Sequence, residues 1–150
     1  MSNPLSFREV SRRDLPKVLA LYAQPDLDDG RVLSVVAAER VFERMSCYPN
    51  YKIYVATQHA RVVGTFALLI MDNLGHLGTP SAIIEDVAVD PAAHGQGIGK
   101  QMIRHAIELA TANGCYKVVL SSNLKRTRAH AFYDSLDFER HGFSFRIDTA

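Results

Sequence analysis

With 150 residues, 47% apolar and 22% charged, and a formal charge of +1, the chain has the makeup of one soluble globular domain over residues 1–150, closing its core without metal or disulfide. The balanced charge excludes a disordered chain and argues against DNA or RNA as partner. The opening Met-Ser-Asn-Pro-Leu-Ser-Phe-Arg-Glu holds no apolar leader core and no run reaches membrane-span length, so no membrane partner and a cytoplasmic location are expected.

Ser6 to Val10 reads as a short strand. Ser11 is placed to cap a helix whose Leu15, Val18, Leu19 and Tyr22 recur at helical spacing and which stops near Pro25. After the polar loop Asp26 to Gly30, Leu33 to Met45 reads as a second helix with Val35, Val36, Val41, Phe42 and Met45 on its apolar side, and Pro49 closes it. Tyr51 to Thr57 and Val62 to Ile70 are rich in β-formers and make a hairpin across Gln58-His-Ala-Arg61. The loop Asp72 to Pro80 leads to a strand over Ala82 to Val89. An amphipathic helix follows, striped by Ile98, Met102, Ile103, Ala106, Ile107 and Ala110 and ended by Asn113-Gly114, a pair suited to a left-handed cap. Lys117 to Ser121 reads as a buried strand, Thr127 to Leu136 as a short helix and Phe143 to Ile147 as a final strand. The order is that of an α+β (mixed α/β) chain with a sheet flanked by helices. Cys47 and Cys115 lack C-x-x-C spacing and are expected to be buried free thiols; Cys115, entering an apolar strand, is expected to be inert. The six histidines show no metal-ligand spacing, so no metal is expected.

Residues 94–100 read His-Gly-Gln-Gly-Ile-Gly-Lys, between the fourth strand and the amphipathic helix. Glycines let the backbone approach a ligand, and a helix N-terminus offers unpaired N–H groups to an anion, so a phosphorylated cofactor is expected here. Neither G-x-x-x-x-G-K-[ST] nor G-x-G-x-x-G occurs. What stands, His94-x-x-Gly97-x-Gly99, resembles the [Arg/Gln]-x-x-Gly-x-[Gly/Ala] loop of the GNAT superfamily of N-acetyltransferases, which grips the pyrophosphate of acetyl-CoA. The resemblance implies a GNAT fold with a central, mostly antiparallel, splayed β-sheet. It also implies acetyl-CoA as co-substrate, held by His94, Gly95, Gln96, Gly97, Ile98, Gly99 and Lys100. His94 departs from the family's Arg or Gln, which leaves the backbone as the expected grip.

Ile83-Ile-Glu-Asp-Val-Ala-Val89 places two adjacent carboxylates in an apolar strand, a costly arrangement unless they are paired or used. Alternation sets Glu85 and Asp86 on opposite faces, so only one can face a given cleft unless a bulge intervenes. In the superfamily such a bulge lies on this strand and opens the sheet for the thioester. The resemblance therefore adds Val87, Ala88 and Val89 to the cofactor site, with backbone N–H groups near Val87 and Val89 polarising the thioester carbonyl. Ile84 to Val89 and Gly114-Cys-Tyr-Lys117 also resemble the glucosamine-6-phosphate N-acetyltransferases, in which acidic residues of this strand touch the acceptor. Glu85 and Asp86 become acceptor-binding residues on that resemblance, with Glu85 also a catalytic proton acceptor through water. The alternative is that either one pairs with a neighbouring arginine or caps a loop.

Ala129-His-Ala-Phe-Tyr-Asp-Ser-Leu-Asp-Phe138 resembles the superfamily's A-x-x-F-Y-x-x-x-G-F segment, whose tyrosine sits by the cofactor sulfur as general acid to the leaving thiolate. That makes Tyr133 catalytic and cofactor-binding here; a helical tyrosine beside phenylalanine can also be packing alone. Asp137 stands where the family has glycine, which predicts a slightly strained turn. Asn123 matches the position that contacts the pantetheine arm, or else it serves a turn. Lys125, Arg126 and Arg128 cluster where a phosphate could bind, and Leu120 to Arg126 with Ala129-His130 and Phe132-Tyr133 resembles the aminoalkylphosphonate N-acetyltransferases. The expected reaction is direct acetyl transfer to a small-molecule primary amine bearing phosphate or phosphonate. A protein or peptide acceptor and a non-catalytic acyl-CoA sensor are the alternatives. The apolar Phe143-Ser-Phe145 segment is expected to pair in a homodimer.

Overall fold

Strands organise the part of the chain that the computed structural model describes, residues 4–150. β1 (Ser6–Glu9), β2 (Tyr51–Gln58), β3 (Arg61–Met71), β4 (Ser81–Val89) and β5 (Val118–Val119) form one sheet in that order. Neighbours from β1 to β4 are antiparallel and β5 runs parallel to β4. Between them lie α1 (Leu15–Tyr22), α2 (Val35–Met45) and α3 (Ile98–Ala112), with α4 (Thr127–Ser135) after β5. The chain forms two compact units, a larger one ending at Val119 and a smaller one, Leu120–Ala150.

In the larger unit Phe66, Ala67 and Leu68 are consecutive on β3 and all at most 2% exposed, so both faces of the sheet are covered. One face carries α3: Met102 packs where a Cβ on Gly64 would stand, and His105 meets Tyr54 edge-on and stacks on Phe7 at 4.4 Å. The other carries α1, whose Leu15, Val18 and Leu21 are buried. The β2–β3 hairpin closes through His59 and Ala60, both left-handed (φ 52 and 61), the geometry of a two-residue turn whose twist matches the strands.

The element order is as the sequence predicts, with corrections where local pattern lacks a partner. Phe143 to Ile147 is not a strand: Phe143, Phe145 and Ile147 are 89%, 91% and 85% exposed, and among the described residues their alternation pairs with no strand. The strand expected over Lys117 to Ser121 shrinks to Val118–Val119, the residues that meet Ala82 and Ile83. The second helix starts at Val35, because Ser34 accepts the Ala37 amide as its cap; Val35 and Val36 lie exposed rather than in the core. Cys47 is exposed, contrary to the expected buried thiol; Cys115 is half-buried, and that burial pushes its thiol pKa up, away from reactive thiolate.

Candidate active site

β4 is where the larger unit departs from regular pairing. Thr65 pairs with Ala88 and Ala67 with Glu85, so Asp86 and Val87 together stand opposite Phe66. This is the bulge that the family resemblance implied for this strand, and Asp86 takes the left-handed conformation (φ 53) usually left to glycine. Its consequence is that Glu85 and Asp86 both reach solvent, whereas unbroken alternation would expose one of them. The two carboxylates are therefore not buried in the sheet.

Beyond the bulge, Val89 pairs with Gly64 while the Asp90 amide donates to the Val63 carbonyl at 2.8 Å. That pattern turns the Val89 N–H and C=O away from β3. β5 pairs with β4 only at Ala82 and Ile83, so within the larger unit the far side of β4 from Ile84 to Val89 has no strand beside it. A free N–H on an open strand edge can polarise a ligand carbonyl.

The chain then turns through Pro91–Ala93 into the glycine loop. Gly95 (φ 80) and Gly97 (φ 75) are both left-handed, and Gly97 is the N-cap of α3. Space does not demand these glycines, since a Cβ at either would meet nothing within 4 Å; backbone conformation does. The His94 amide donates to the Pro91 carbonyl at 3.3 Å, and the next amide to find a backbone acceptor is that of Gln101, on the Gly97 carbonyl at 3.2 Å. The amides from Gly95 to Lys100 have no protein acceptor among the described residues and are grouped at a helix N-terminus, which fits a pyrophosphate. His94 turns back, its ring Nε2 lying 3.1 Å from the Val89 carbonyl.

Around the bulge gather groups that the sequence reading did not single out. Exclusion of water by the surrounding protein, then the charge of Asp28, push the Asp86 carboxyl pKa up; Glu85 is raised by the same loss of water and by Asp86. The Tyr22 and Tyr51 phenols are pushed up by burial and by Asp86, with Thr65 drawing Tyr22 partly back. Among the described residues neither Glu85 nor Asp86 has an ion-pair partner, so the loop-capping and arginine-pairing alternatives do not hold. The constellation is negative, its phenols stay protonated, and it suits a cationic amine. Tyr22 reads in sequence as part of a core stripe and Tyr51 as a strand residue; only the fold brings both to Asp86.

In the smaller unit, Asn123 serves its turn: its Oδ1 accepts the Lys125 amide at 2.9 Å and its carbonyl accepts from Arg126 and meets the His130 ring at 2.8 Å. Lys125, Arg126 and Arg128 are exposed and have no carboxylate partner among the described residues. Tyr133 is half-buried on α4 against Phe132 and Phe138; burial pushes its hydroxyl pKa up and Arg126 draws it back. α4 ends with the Phe138 amide on the Tyr133 carbonyl and the Asp137 amide on the Asp134 carbonyl, Asp137 being left-handed at φ 66. This is the paired-bond helix stop in which glycine is usual, and the Tyr133–Phe138 ring contact at 5.8 Å is its apolar clasp.

The model of the acetyltransferase (GNAT) family matches residues 18–138, a span running through both units. A glucosamine 6-phosphate N-acetyltransferase of Trypanosoma brucei brucei is 36% identical over 97 residues, covering 65% of this chain and 64% of that protein. An aminoalkylphosphonate N-acetyltransferase of Salmonella typhimurium is 33% identical over 97 residues, covering 65% of this chain and 62% of that protein. The chain thus spans less than two thirds of either relative. The crystal structure of a transcriptional regulator from Bacillus halodurans C-125 superposes with a TM-score of 0.90 at 28% identity, over 97% of this chain and all of that one.

Proposed function

The chain belongs to the acetyltransferase (GNAT) family, and on that premise we propose that it transfers the acetyl group of acetyl-CoA to a primary amine of a small molecule, directly, within a ternary complex. Acetyl-CoA supplies an activated thioester; the chain supplies grip, orientation and proton handling. Gly95, Gln96, Gly97, Ile98, Gly99 and Lys100 hold the pyrophosphate through their backbone with His94 at the mouth of the loop, and Val87, Ala88 and Val89 line the acyl end, the amides near Val87 and Val89 turned to its carbonyl. Asp86, beside Tyr22 and Tyr51, binds the acceptor ammonium, and Glu85 takes its proton through water, a role its raised pKa suits. Tyr133 donates the proton that the departing sulfur needs, and the side-chain amide of Asn123 serves the pantetheine arm.

The observation that carries this reading is the open edge of β4, bulged at Asp86 and continued by a loop of acceptor-free amides. An acceptor bearing phosphate or phosphonate is favoured by what the two relatives are named for and by the free cations Lys125, Arg126 and Arg128, which also suit the 3′-phosphate of the cofactor. A peptide or protein amine is the second reading, favoured by the negative constellation at the bulge, which no cation offsets among the described residues.

The test is release of CoA thiol against glucosamine 6-phosphate, aminoalkylphosphonates, polyamines, aminoglycosides and peptides. Release dependent on one amine class assigns the acceptor; tight acetyl-CoA binding with no release from any points to an acceptor outside the panel or to an acyl-CoA sensor. Tyr133→Phe is expected to lower kcat on the order of 10²-fold with acetyl-CoA affinity unchanged. Full turnover at every pH removes Tyr133 from the proton transfer.

The proposal includes one working domain over residues 1–150, supported by a family match that runs across both units. It includes a cytoplasmic setting, supported by two unpaired cysteines, and a homodimer. The exposed Phe143, Phe145 and Ile147 support the dimer, as an apolar alternation that a second copy would cover. Light scattering that gives a monomer mass at high concentration overturns it.

A further inference from the structure

The carbonyl at the end of β4 is held from two sides. The Val89 oxygen accepts from Gln24 Nε2 at 3.0 Å and lies 3.1 Å from His94 Nε2. Gln24 spends its other amide hydrogen on the Leu21 carbonyl at 2.9 Å, in the last turn of α1. Its own backbone carbonyl accepts the amides of Leu27 at 3.0 Å and Asp29 at 3.1 Å, so the loop after α1 is built around it. That loop bears Asp28, which acts on Asp86, and Tyr22 lies two residues before Gln24. Nearby, Lys17 of α1 reaches Asp90 at 2.7 Å, where the other carboxylate oxygen accepts the Ala92 amide.

We propose that Gln24 is a positioning residue that couples the acceptor wall to the acyl-donor loop, sharing the Val89 carbonyl with His94. Gln24 touches no reacting atom. One nitrogen with two hydrogens sits between two carbonyls, Leu21 and Val89, and thereby fixes the distance from the Tyr22–Asp28 wall to the strand end from which the glycine loop departs. A carboxylate of the same shape presents only acceptors to those carbonyls, and a hydroxyl has one hydrogen where two are needed. His94 supplies from the loop side the second donor to the same oxygen, and this is the use the chain makes of a residue that stands where the family has Arg or Gln. The inference rests on the acetyl-transfer reading, because the loop so positioned is the one assigned to acetyl-CoA.

Calorimetric titration of acetyl-CoA into the full chain tests it. Gln24→Ala and His94→Phe are each expected to weaken binding about fivefold to tenfold, the cost of one hydrogen bond. The double variant is expected to lose clearly more or clearly less than the product of the two, because both donors share one acceptor. Gln24→Glu is expected to bind more weakly than Gln24→Ala at neutral pH and to recover in part as the pH falls and the new carboxyl gains one proton, enough for one of the two carbonyls, while the wild type shows no such recovery. The rescue is read in the acetyl-CoA affinity of the folded variant, which a residue serving fold stability alone would leave unchanged. Wild-type affinity in folded Gln24→Glu at neutral pH, or strictly multiplicative losses in the double variant, overturns the proposal alone. His94 is exposed, so its variant tests the shared carbonyl even if Gln24 variants fold poorly. A wild-type chain that does not bind acetyl-CoA overturns the acetyl-transfer reading and this inference with it.

Discussion

Asp14 and Asp86 are two aspartates of the larger unit with opposite surroundings. Asp14 accepts from Arg8 at 2.6 and 2.9 Å, from the Ser11 amide at 2.7 Å and from the Ser11 hydroxyl at 3.0 Å, and its side chain is 9% exposed. The Arg8 hydrogen bonds, opposed by burial and helped by Ser11, hold its pKa down at about 2. Asp86 accepts no hydrogen bond among the described residues, sits in a left-handed bulge, and has its pKa pushed up by loss of water and by Asp28. One carboxylate is surrounded by donors and ties β1 to the start of α1; the other is left without partners beside an open strand edge. The first arrangement stabilises the fold and the second costs stability, and such a cost is tolerated at places kept for a ligand.

The largest effect should come from making Asp86 resemble a satisfied residue. Asp86→Asn is expected to lower kcat/KM on the order of 10²-fold, because the acceptor ammonium loses its charge partner. It is also expected to raise the melting temperature. A carboxyl with a raised native pKa binds its proton more tightly folded than unfolded, so its penalty grows as the pH climbs from the ordinary 3.8 through the raised value and is complete above it. The gain in Asp86→Asn should therefore be present at neutral pH and vanish below 3.8. Loss of both activity and stability would break the contrast. Asp14→Ala is expected to do the reverse, costing about 2–3 kcal/mol at neutral pH with kcat unchanged. Its native pKa is lowered, so the stability it contributes is present above 3.8 and lost as the pH falls toward about 2. Denaturant melts of wild type and variant should converge across that window.

The same contrast marks what could be read from the sequence. The glycine loop was legible because its work is done by backbone: left-handed glycines and a helix start are local events, and the spacing of Gly95, Gly97 and Gly99 announces them. Two adjacent carboxylates in one strand stated only what a bulge would change; the bulge was implied by the family resemblance, and its place at Asp86 comes from register with β3. The acceptor wall was not legible. Tyr22 and Tyr51 come within reach of the Asp86 charge only after α1 and β2 pack against the sheet, and a tyrosine in an apolar stripe carries no mark of that destination. Gln24 lies in a turn, where its type is unremarkable until the Val89 carbonyl arrives beside it. The last strand failed for the converse reason: Phe143, Phe145 and Ile147 alternate correctly, but alternation states only which face would be apolar and supplies no partner.

The smallest effect concerns a third aspartate and separates strain that serves a site from strain that does not. Asp137 is left-handed like Asp86, yet it closes α4 with the bonds that Gly114 makes for α3, where the Cys115 amide meets the Ala110 carbonyl and the Gly114 amide meets that of Thr111. Gly114 takes φ 76 freely, and Asp137 takes φ 66 against the crowding of its Cβ. Its carboxylate makes no hydrogen bond among the described residues, so nothing offsets the conformational cost. Asp137→Gly is expected to stabilise the chain by about 0.5–1 kcal/mol with kcat and KM unchanged. Asp86→Gly relieves the same kind of backbone strain at the bulge and should also stabilise, but with the loss of activity expected of Asp86→Asn. If Asp137→Gly lowered activity as Asp86→Gly does, the left-handed aspartate after Tyr133 would have to be counted with the site rather than with the helix end.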